Sequence, residues 1–325
     1  MVKNDIKKIK LYLGPMSKNI VDGIIDYNTN VSNSVGMIAS RRQIDYYGGY
    51  VNNWKTSQFE SYVKKQNKDI VICRDHGGIN RGSFEDDGMN SFLVDAVYMN
   101  IIHIDPFKTL NLLDSAYYTM DVMLRCLELN PNCLFEIGTE QAIQPLTIHG
   151  LDYFLNQFKT QAPELIDKIA YVVIQSGTSL QGGVNTGEYD KGKLSMMLDV
   201  CKQYGVLSKE HNGDYLTPKQ IKEKFKMGLS AINIAPQVAH IETEYIMRNL
   251  THHRFTKWFE MIVDDGSWMK WFPSDFSPYK NTKKVVKLCG HYVFTKPEFN
   301  DIFNLQDASE YVKDEMHNFI NDRIG

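Results

Sequence analysis

Val71-Ile72-Cys73-Arg74-Asp75-His76-Gly77-Gly78 is a short apolar run that stops on an Asp-His pair and two glycines, and a polar loop, residues 79–88, follows it. Apolar runs bounded by glycines read as buried strands. Polar, metal-capable side chains at the C-terminal end of such a strand are where α/β barrels carry their chemistry. The same event recurs along the chain, and it is the recurrence that sets the fold.

Eight apolar runs have this character: 9–13, 34–39, 69–73, 100–104, 133–137, 170–174, 206–208 and 231–234. Their Val, Ile and Leu content suits strands covered on both faces. Between them lie segments of helical period. Ser17 to Tyr27 carries Ile20, Ile24 and Ile25 on one face, and Met120 to Glu128 carries Val122, Met123, Cys126 and Leu127. Thr217-Pro218 opens a third helix, through Lys226, with a capping residue followed by proline at the first helical position. Strands alternating with helices imply parallel pairing through crossovers, and eight units in this length predict a (β/α)8 TIM barrel over residues 1–239. An open doubly wound sheet is the runner-up, disfavoured because no Gly-x-Gly-x-x-Gly loop follows an early strand. Residues 240–325 differ in texture, holding Trp258, Trp268 and Trp271, with helical patterns at 242–250 and 307–324. They are expected to form a mainly helical extension packed on the barrel.

The chain has 325 residues and a formal charge of −3, so no basic stripe points to nucleic acid and no polybasic segment to lipid. No apolar run approaches a membrane span, and no signal-peptide pattern follows the basic N-terminus. The five cysteines are scattered without a Cys-x-x-Cys, which suits buried thiols in a cytoplasmic protein.

The strand ends gather the candidate chemistry. They carry Ser40-Arg41-Arg42-Gln43, Arg74-Asp75-His76, His103-Ile104-Asp105, Glu140, Gln175-Ser176-Gly177, Lys209-Glu210-His211 and Asn233. His76, His103 and His211 with Asp75, Asp105 and Glu140 are the donors a catalytic divalent-metal site needs. A carboxylic acid beside the metal is then available to move a proton. Asp105, before Pro106, has the competing reading of a helix cap. His252-His253 looks like a metal pair, but adjacent helical residues do not face each other.

These motifs, with Asp45-Tyr46-Tyr47-Gly48-Gly49-Tyr50, His211-Asn212-Gly213-Asp214-Tyr215-Leu216-Thr217 and Asn233-Ile234-Ala235-Pro236, resemble in order those of one family. It is the family described as the non-catalytic subunit of class II tagatose-bisphosphate aldolase. The resemblance is collinear from about residue 11 to about residue 244 and implies a barrel related to the metal-dependent class II aldolases. It makes Asp75 the proton donor, with His76 and His211 as metal ligands. The sixth-strand histidine of those aldolases has no counterpart, since Gln175-Ser176-Gly177-Thr178 stands there, leaving Glu140 or Gln175 to complete the set. Lys209 stands where the family has a carboxylate, which suits an anionic substrate or a Schiff base.

The expected function is therefore a metal-dependent aldolase-type lyase acting on a phosphorylated or otherwise anionic sugar through an enediolate. Zinc is the expected ion, with manganese or cobalt as alternatives. Asp75, Glu140 and Lys209 are the expected catalytic residues, and His76, His211 and Glu140 the metal ligands. Ser40, Arg41, Arg42, Gln43, Arg74, His103, Asp105, Gln175 and Asn233 are expected to bind substrate, with the 182–183 glycine pair closing over it. Two alternatives share these residues: a sugar or sugar-phosphate epimerase or isomerase, and a non-catalytic partner of an aldolase subunit. Partners are then the sugar and either further copies of the chain or that subunit.

Overall fold

The computed structural model describes residues 6–32 and 34–325. Eight strands alternate with helices: β1 Leu11–Leu13, β2 Val35–Ser40, β3 Ile72–Gly77, β4 Ile101–Ile104, β5 Leu134–Ile137, β6 Ile169–Ile174, β7 Leu207–Glu210 and β8 Ala231–Ile234. All pairings between them are parallel, and β1 closes the ring by pairing with both β2 and β8. The expected (β/α)8 barrel is the observed one. The largest departure is β3, which runs on to Gly77 through the Asp-His pair, with a register irregularity between Arg74 and Gly77.

Side-chain alternation divides each strand between two environments. Tyr12, Ile38, Cys73, Ile101, Leu134 and Ala231 form a small apolar layer inside the barrel. Their neighbours Leu11, Met37, Ile102, Phe135 and Ile232 face outward into the main core under the helices. Parallel strands buried on both faces explain why the runs read as continuously apolar. Ile6 and Ile9 join the inner layer, and the Tyr171 hydroxyl donates to the Ile6 carbonyl at 3.1 Å.

The connecting helices are α1 Lys18–Asn30, α2 Thr56–Gln66, α3 Met89–Tyr98, α4 Leu112–Leu129, α5 Ile148–Gln161, α6 Lys191–Gln203 and α7 Pro218–Met227. Ser17 caps α1, and Thr217 with Gln220 forms a capping box on α7, as the local sequence predicts. The α4 helix starts eight residues before the expected Met120, because Asn111 accepts the Asp114 amide and nucleates an earlier first turn.

After β8 come α8 Pro236–Asn249, α9 His252–Asp265, α10 Thr282–Cys289 and α11 Ser309–Ile324. Trp258, Phe259, Val285, Val286 and Phe299 form a second apolar core. The last helix returns to the barrel: Val312, Met316 and Ile320 belong to the main core, and Gly23 of α1 allows Met316 close approach. His252 and His253 are both exposed at the start of α9. Among the described residues, no helix is long and apolar enough to cross a membrane.

Glu242 on α8 ties this region to the start of α1. It accepts from the Ser17 hydroxyl, and from Asn19 Nδ2 at 2.6 Å. Burial pushes its carboxyl up to about 7, with the two donors only partly opposing. An acid whose pKa is raised by folding lends stability below its unfolded value, and that stability is lost as pH rises through about 7. The span is worth on the order of 3 kcal/mol. Glu242→Gln is therefore expected to flatten the fall in melting temperature between pH 5 and pH 8; unchanged curvature in a thermal-melt series would contradict this.

Candidate active site

Two histidines at the C-terminal mouth of the barrel point nitrogen atoms at one place. His76 Nε2 and His211 Nδ1 lie 3.2 Å apart. Each ring is pinned from behind by a buried carboxylate. His76 Nδ1 is 2.6 Å from Asp105 Oδ2, and His211 Nε2 is 2.6 Å from Glu136 Oε1. An ionised carboxylate only accepts, so those two nitrogens carry the hydrogens, and in neutral rings the lone pairs face each other. Two lone pairs cannot oppose each other at this distance without positive charge between them. A proton or a metal cation meets the need.

The carboxylates are held ionised. Burial would raise the Asp105 carboxyl, but the hydrogen bond and charge of His76, with Arg81, outweigh it and keep it well below the usual range. Burial likewise opposes ionisation of Glu136, and the Lys209 ammonium, with the hydrogen bond from His211, overcomes it. Burial would lower His76, yet Asp75, Glu140 and Asp105 together push its pKa well above the ordinary value.

His76 takes a left-handed backbone conformation, φ 44°, which is uncommon outside glycine and costly to hold. His103 holds it there. Its Nδ1 accepts the His76 backbone amide at 3.1 Å, and its Nε2 donates to the Gly138 carbonyl at 3.0 Å. Burial lowers the His103 pKa to about 4, so the ring stays neutral. The ligand-capable atoms of His76, His103 and His211 lie within 4.8 Å of one another. Ligation by His103 would require release of the His76 amide or of Gly138.

Two carboxylates complete the surroundings. Asp75 Oδ1 is 3.9 Å from both His76 Nε2 and His211 Nδ1. Glu140 Oε2 is 3.6 Å from His76 Nε2 and accepts from Asn212 Nδ2 at 2.6 Å. The donor set fits a divalent ion: nitrogens held about 2.0–2.1 Å from a tetrahedral zinc stand about 3.3 Å apart, and the two here are at 3.2 Å. Carboxylate-backed imidazoles are the usual support of such ligands.

Several residues expected at substrate prove to be tied up elsewhere. Arg74 neighbours Asp75 on β3 and so faces the opposite way. Its guanidinium grips both oxygens of Asp95 at 2.7 Å, and the Ala39 and Ile44 carbonyls. Arg41 is buried between Asp45 and Asp86. Gln43 accepts the Ser40 amide at 2.7 Å. Gln175 accepts the Leu146 amide and donates to the Thr139 and Gln144 carbonyls, so it is spent on loop backbone and is no ligand. The buried His103 and Asp105 act through His76.

Lys209 also differs from expectation. Its side chain is fully enclosed, paired with Glu136 Oε2 at 2.6 Å and lying 3.7 Å from the Tyr12 ring centroid. No ketose reaches it in this arrangement, which removes the basis for a Schiff base. Parity does place Lys209 and His211 on the same inward side, and both reach Glu136. The 182–183 glycines form the tip of a two-stranded hairpin, Leu180–Gln181 with Val184–Asn185. Asn185 fastens it to the Asn212 and Asp214 carbonyls. Ser40, Asp75, Glu140 and Asn233 remain around the mouth. Asn233 is inward by parity and buried, and among the described residues both its amide atoms lack a hydrogen-bond partner.

Glu136 is absent from the expected set because it lies within an apolar run. The available signal was an acid inside a strand, facing the same lumen as a lysine and a histidine of another strand.

Comparison with known proteins places this architecture. No protein-family model matches the chain, and no curated protein matches it. Among solved structures, a probable tagatose 6 phosphate kinase from Sinorhizobium meliloti 1021 is similar, with a TM-score of 0.75 and 12% identity over 97% of this chain and 93% of that one. A fructose-bisphosphate aldolase from Campylobacter jejuni matches with a TM-score of 0.59 and 12% identity, over 98% of this chain and 92% of that one. A fructuronate-tagaturonate epimerase from Cohnella laeviribosi matches at 0.59 and 8% identity, over 97% and 80%. The likeness is one of fold. The structures it joins are described as aldolases and an epimerase.

Glu136→Gln tests the support of the histidine pair. The change leaves Lys209 buried without a counter-charge and weakens the bond that orients His211. Loss of a buried partner is worth about 3–5 kcal/mol of stability, and loss of a carboxylate behind a ligand about 10–100-fold in metal affinity. Chemical denaturation and zinc titration are expected to show both losses.

Proposed function

We propose that the chain is a metal-dependent aldolase-type lyase acting on an anionic sugar. The observation that carries the reading is the convergence of His76 Nε2 and His211 Nδ1, each backed by a buried carboxylate. His76 and His211 would hold a divalent ion, zinc by the character of the donors, with Glu140 as an oxygen ligand. When bound, such an ion stabilises negative charge on a substrate oxygen as a carbon–carbon bond opens. Asp105 and Glu136 keep the imidazole lone pairs aimed. Asp75 is the residue to move the proton of the hydroxyl that becomes the aldehyde, and its side chain is partly open to the mouth. Asn233 offers a donor and an acceptor to a substrate hydroxyl. The family resemblance and the aldolase folds among the structural neighbours support this reading.

Gln175 favours a second reading. Its engagement with backbone leaves the sixth strand without a ligand, as expected for the non-catalytic subunit of a class II tagatose-bisphosphate aldolase. An epimerase would use the same residues, reprotonating the enediolate on its other face.

Metal analysis after supplying zinc is expected to give one ion per chain, lost in His76→Ala and in His211→Ala. Aldol cleavage of phosphorylated ketoses is expected to fall about 100- to 10,000-fold in Asp75→Asn, the range of a general acid–base residue. Bound metal with no turnover alone, and stimulation of a separate aldolase chain, would favour the subunit reading. Absence of metal binding would overturn both metal-dependent assignments.

A further inference from the structure

Glu140 is held differently from the acids behind the histidine rings. Asp105 is paired with Arg81 and Glu136 with Lys209. Among the described residues, no lysine or arginine lies within ion-pair distance of Glu140, and the donor on its carboxylate is Asn212 Nδ2 at 2.6 Å. A neutral amide orients a carboxylate without cancelling its charge. The charge of Glu140 is therefore left for a cation at the histidines.

Asn212 is itself fixed from outside its own loop. Its backbone is left-handed, φ 56°, a conformation asparagine tolerates better than most residues. Its carbonyl accepts from Asn185 Nδ2 at 2.8 Å, and the same nitrogen donates to the Asp214 carbonyl at 3.0 Å. Asn185 Oδ1 accepts the Ser179 and Gly187 amides at 3.3 and 3.2 Å. One buried-edge side chain thus joins the hairpin between β6 and α6 to the loop that follows His211. The hairpin tip reaches further. A Cβ at Gly183 would lie 3.7 Å from the Leu288 side chain and 3.8 Å from the Tyr215 hydroxyl, and one at Gly182 would lie 3.8 Å from the Trp271 carbonyl. Seating on the region after the barrel is thereby linked, through Asn185 and Asn212, to Glu140.

We infer that Asn212 is a positioning residue that presents Glu140 to the histidine pair, and that the hairpin, through Asn185, sets where Asn212 stands. The inference rests on the metal-dependent reading above for what Glu140 then does, and on the hydrogen bonds alone for how it is placed. Two consequences separate this role from packing. Glycine at 212 keeps the left-handed turn but loses the amide, so it does not replace asparagine. Asn185 bonds to neither histidine, yet its loss is felt at Glu140.

Cobalt titration followed by visible absorption reads both the affinity and the ligand set. Asn212→Ala is expected to weaken cobalt about tenfold or more, the worth of a residue that orients a ligand, and to shift the spectrum toward that of Glu140→Gln. Asn212→Gly should do no better than alanine, and Asn185→Ala should move in the same direction. Losses in the double variant Asn212→Ala, Glu140→Gln should not add. Parent-like affinity in Asn212→Gly, or additive losses, would overturn the positioning role. Metal-free protein gives the second measurement, hydrogen exchange at the Thr186 amide, which donates to the Ser179 carbonyl at 2.8 Å within the hairpin. Asn212→Asp sets two carboxylates against each other and is expected to speed this exchange, and adding Glu140→Gln should restore it. Exchange that ignores both changes would overturn the link to the hairpin. A parent chain that binds no metal but shows this exchange pattern would overturn the metal reading and leave the placement of Glu140 supported.

Discussion

Glu136 carries the arrangement at the barrel centre. One oxygen holds Lys209 and the other holds His211, and all three groups are buried. A carboxylate in an apolar layer is costly, and the lysine beneath it keeps it ionised. The ionised form then fixes which His211 nitrogen bears hydrogen, and so where its lone pair points. Asp105 does the same for His76, with Arg81 at 2.8 Å as its own counter-charge. Two separate cation–carboxylate–histidine chains thus converge on one point. The direction of both imidazole lone pairs is set by buried groups behind the rings.

Strand alternation keeps this machinery apart from the ion pairs that hold helices to the barrel. On β3, Arg74 goes outward to Asp95 on α3 while Asp75 goes inward to the mouth. On β7, Glu210 goes outward to Lys224 on α7 at 2.7 Å, while Lys209 and His211 go inward. Adjacent charged residues therefore serve opposite tasks with little interference, because the strand places them on opposite sides of the sheet. The left-handed backbone at His76 breaks this regularity where it is needed. It turns the ring toward His211, and the His103 ring braces it.

A cleft of about 460 Å³, lined by Arg42, Tyr50, Asp265 and Lys270 among others, opens between the barrel rim and the region after α9. The barrel supplies one wall from loops that leave β2 and β3. The region carrying Trp258, Trp268 and Trp271 supplies the other, so its aromatic content serves a core and a rim together. The return of α11 to pack on α1 holds that region against the barrel.

The barrel was legible in the sequence because its strands are buried on both faces, and such strands must be apolar throughout. Eight runs and their spacing determined the order and parallel pairing, and Ser17 and Thr217 determined where two of the helices begin. The positions of Asp75, His76, Glu140 and His211 at strand ends were legible for the same reason, since polar groups are tolerated only where a strand leaves the core. Partners were not legible. Arg41, Arg74 and Gln175 look like substrate-binding residues in the sequence, yet each is consumed by buried acids or backbone from elsewhere in the chain. Glu136 was hidden because an isolated acid in an apolar strand makes sense only beside a lysine and a histidine 73 and 75 residues further along the chain. A sequence determines what each residue can donate or accept; only packing in three dimensions decides which of those capacities is already satisfied and which is left for a ligand.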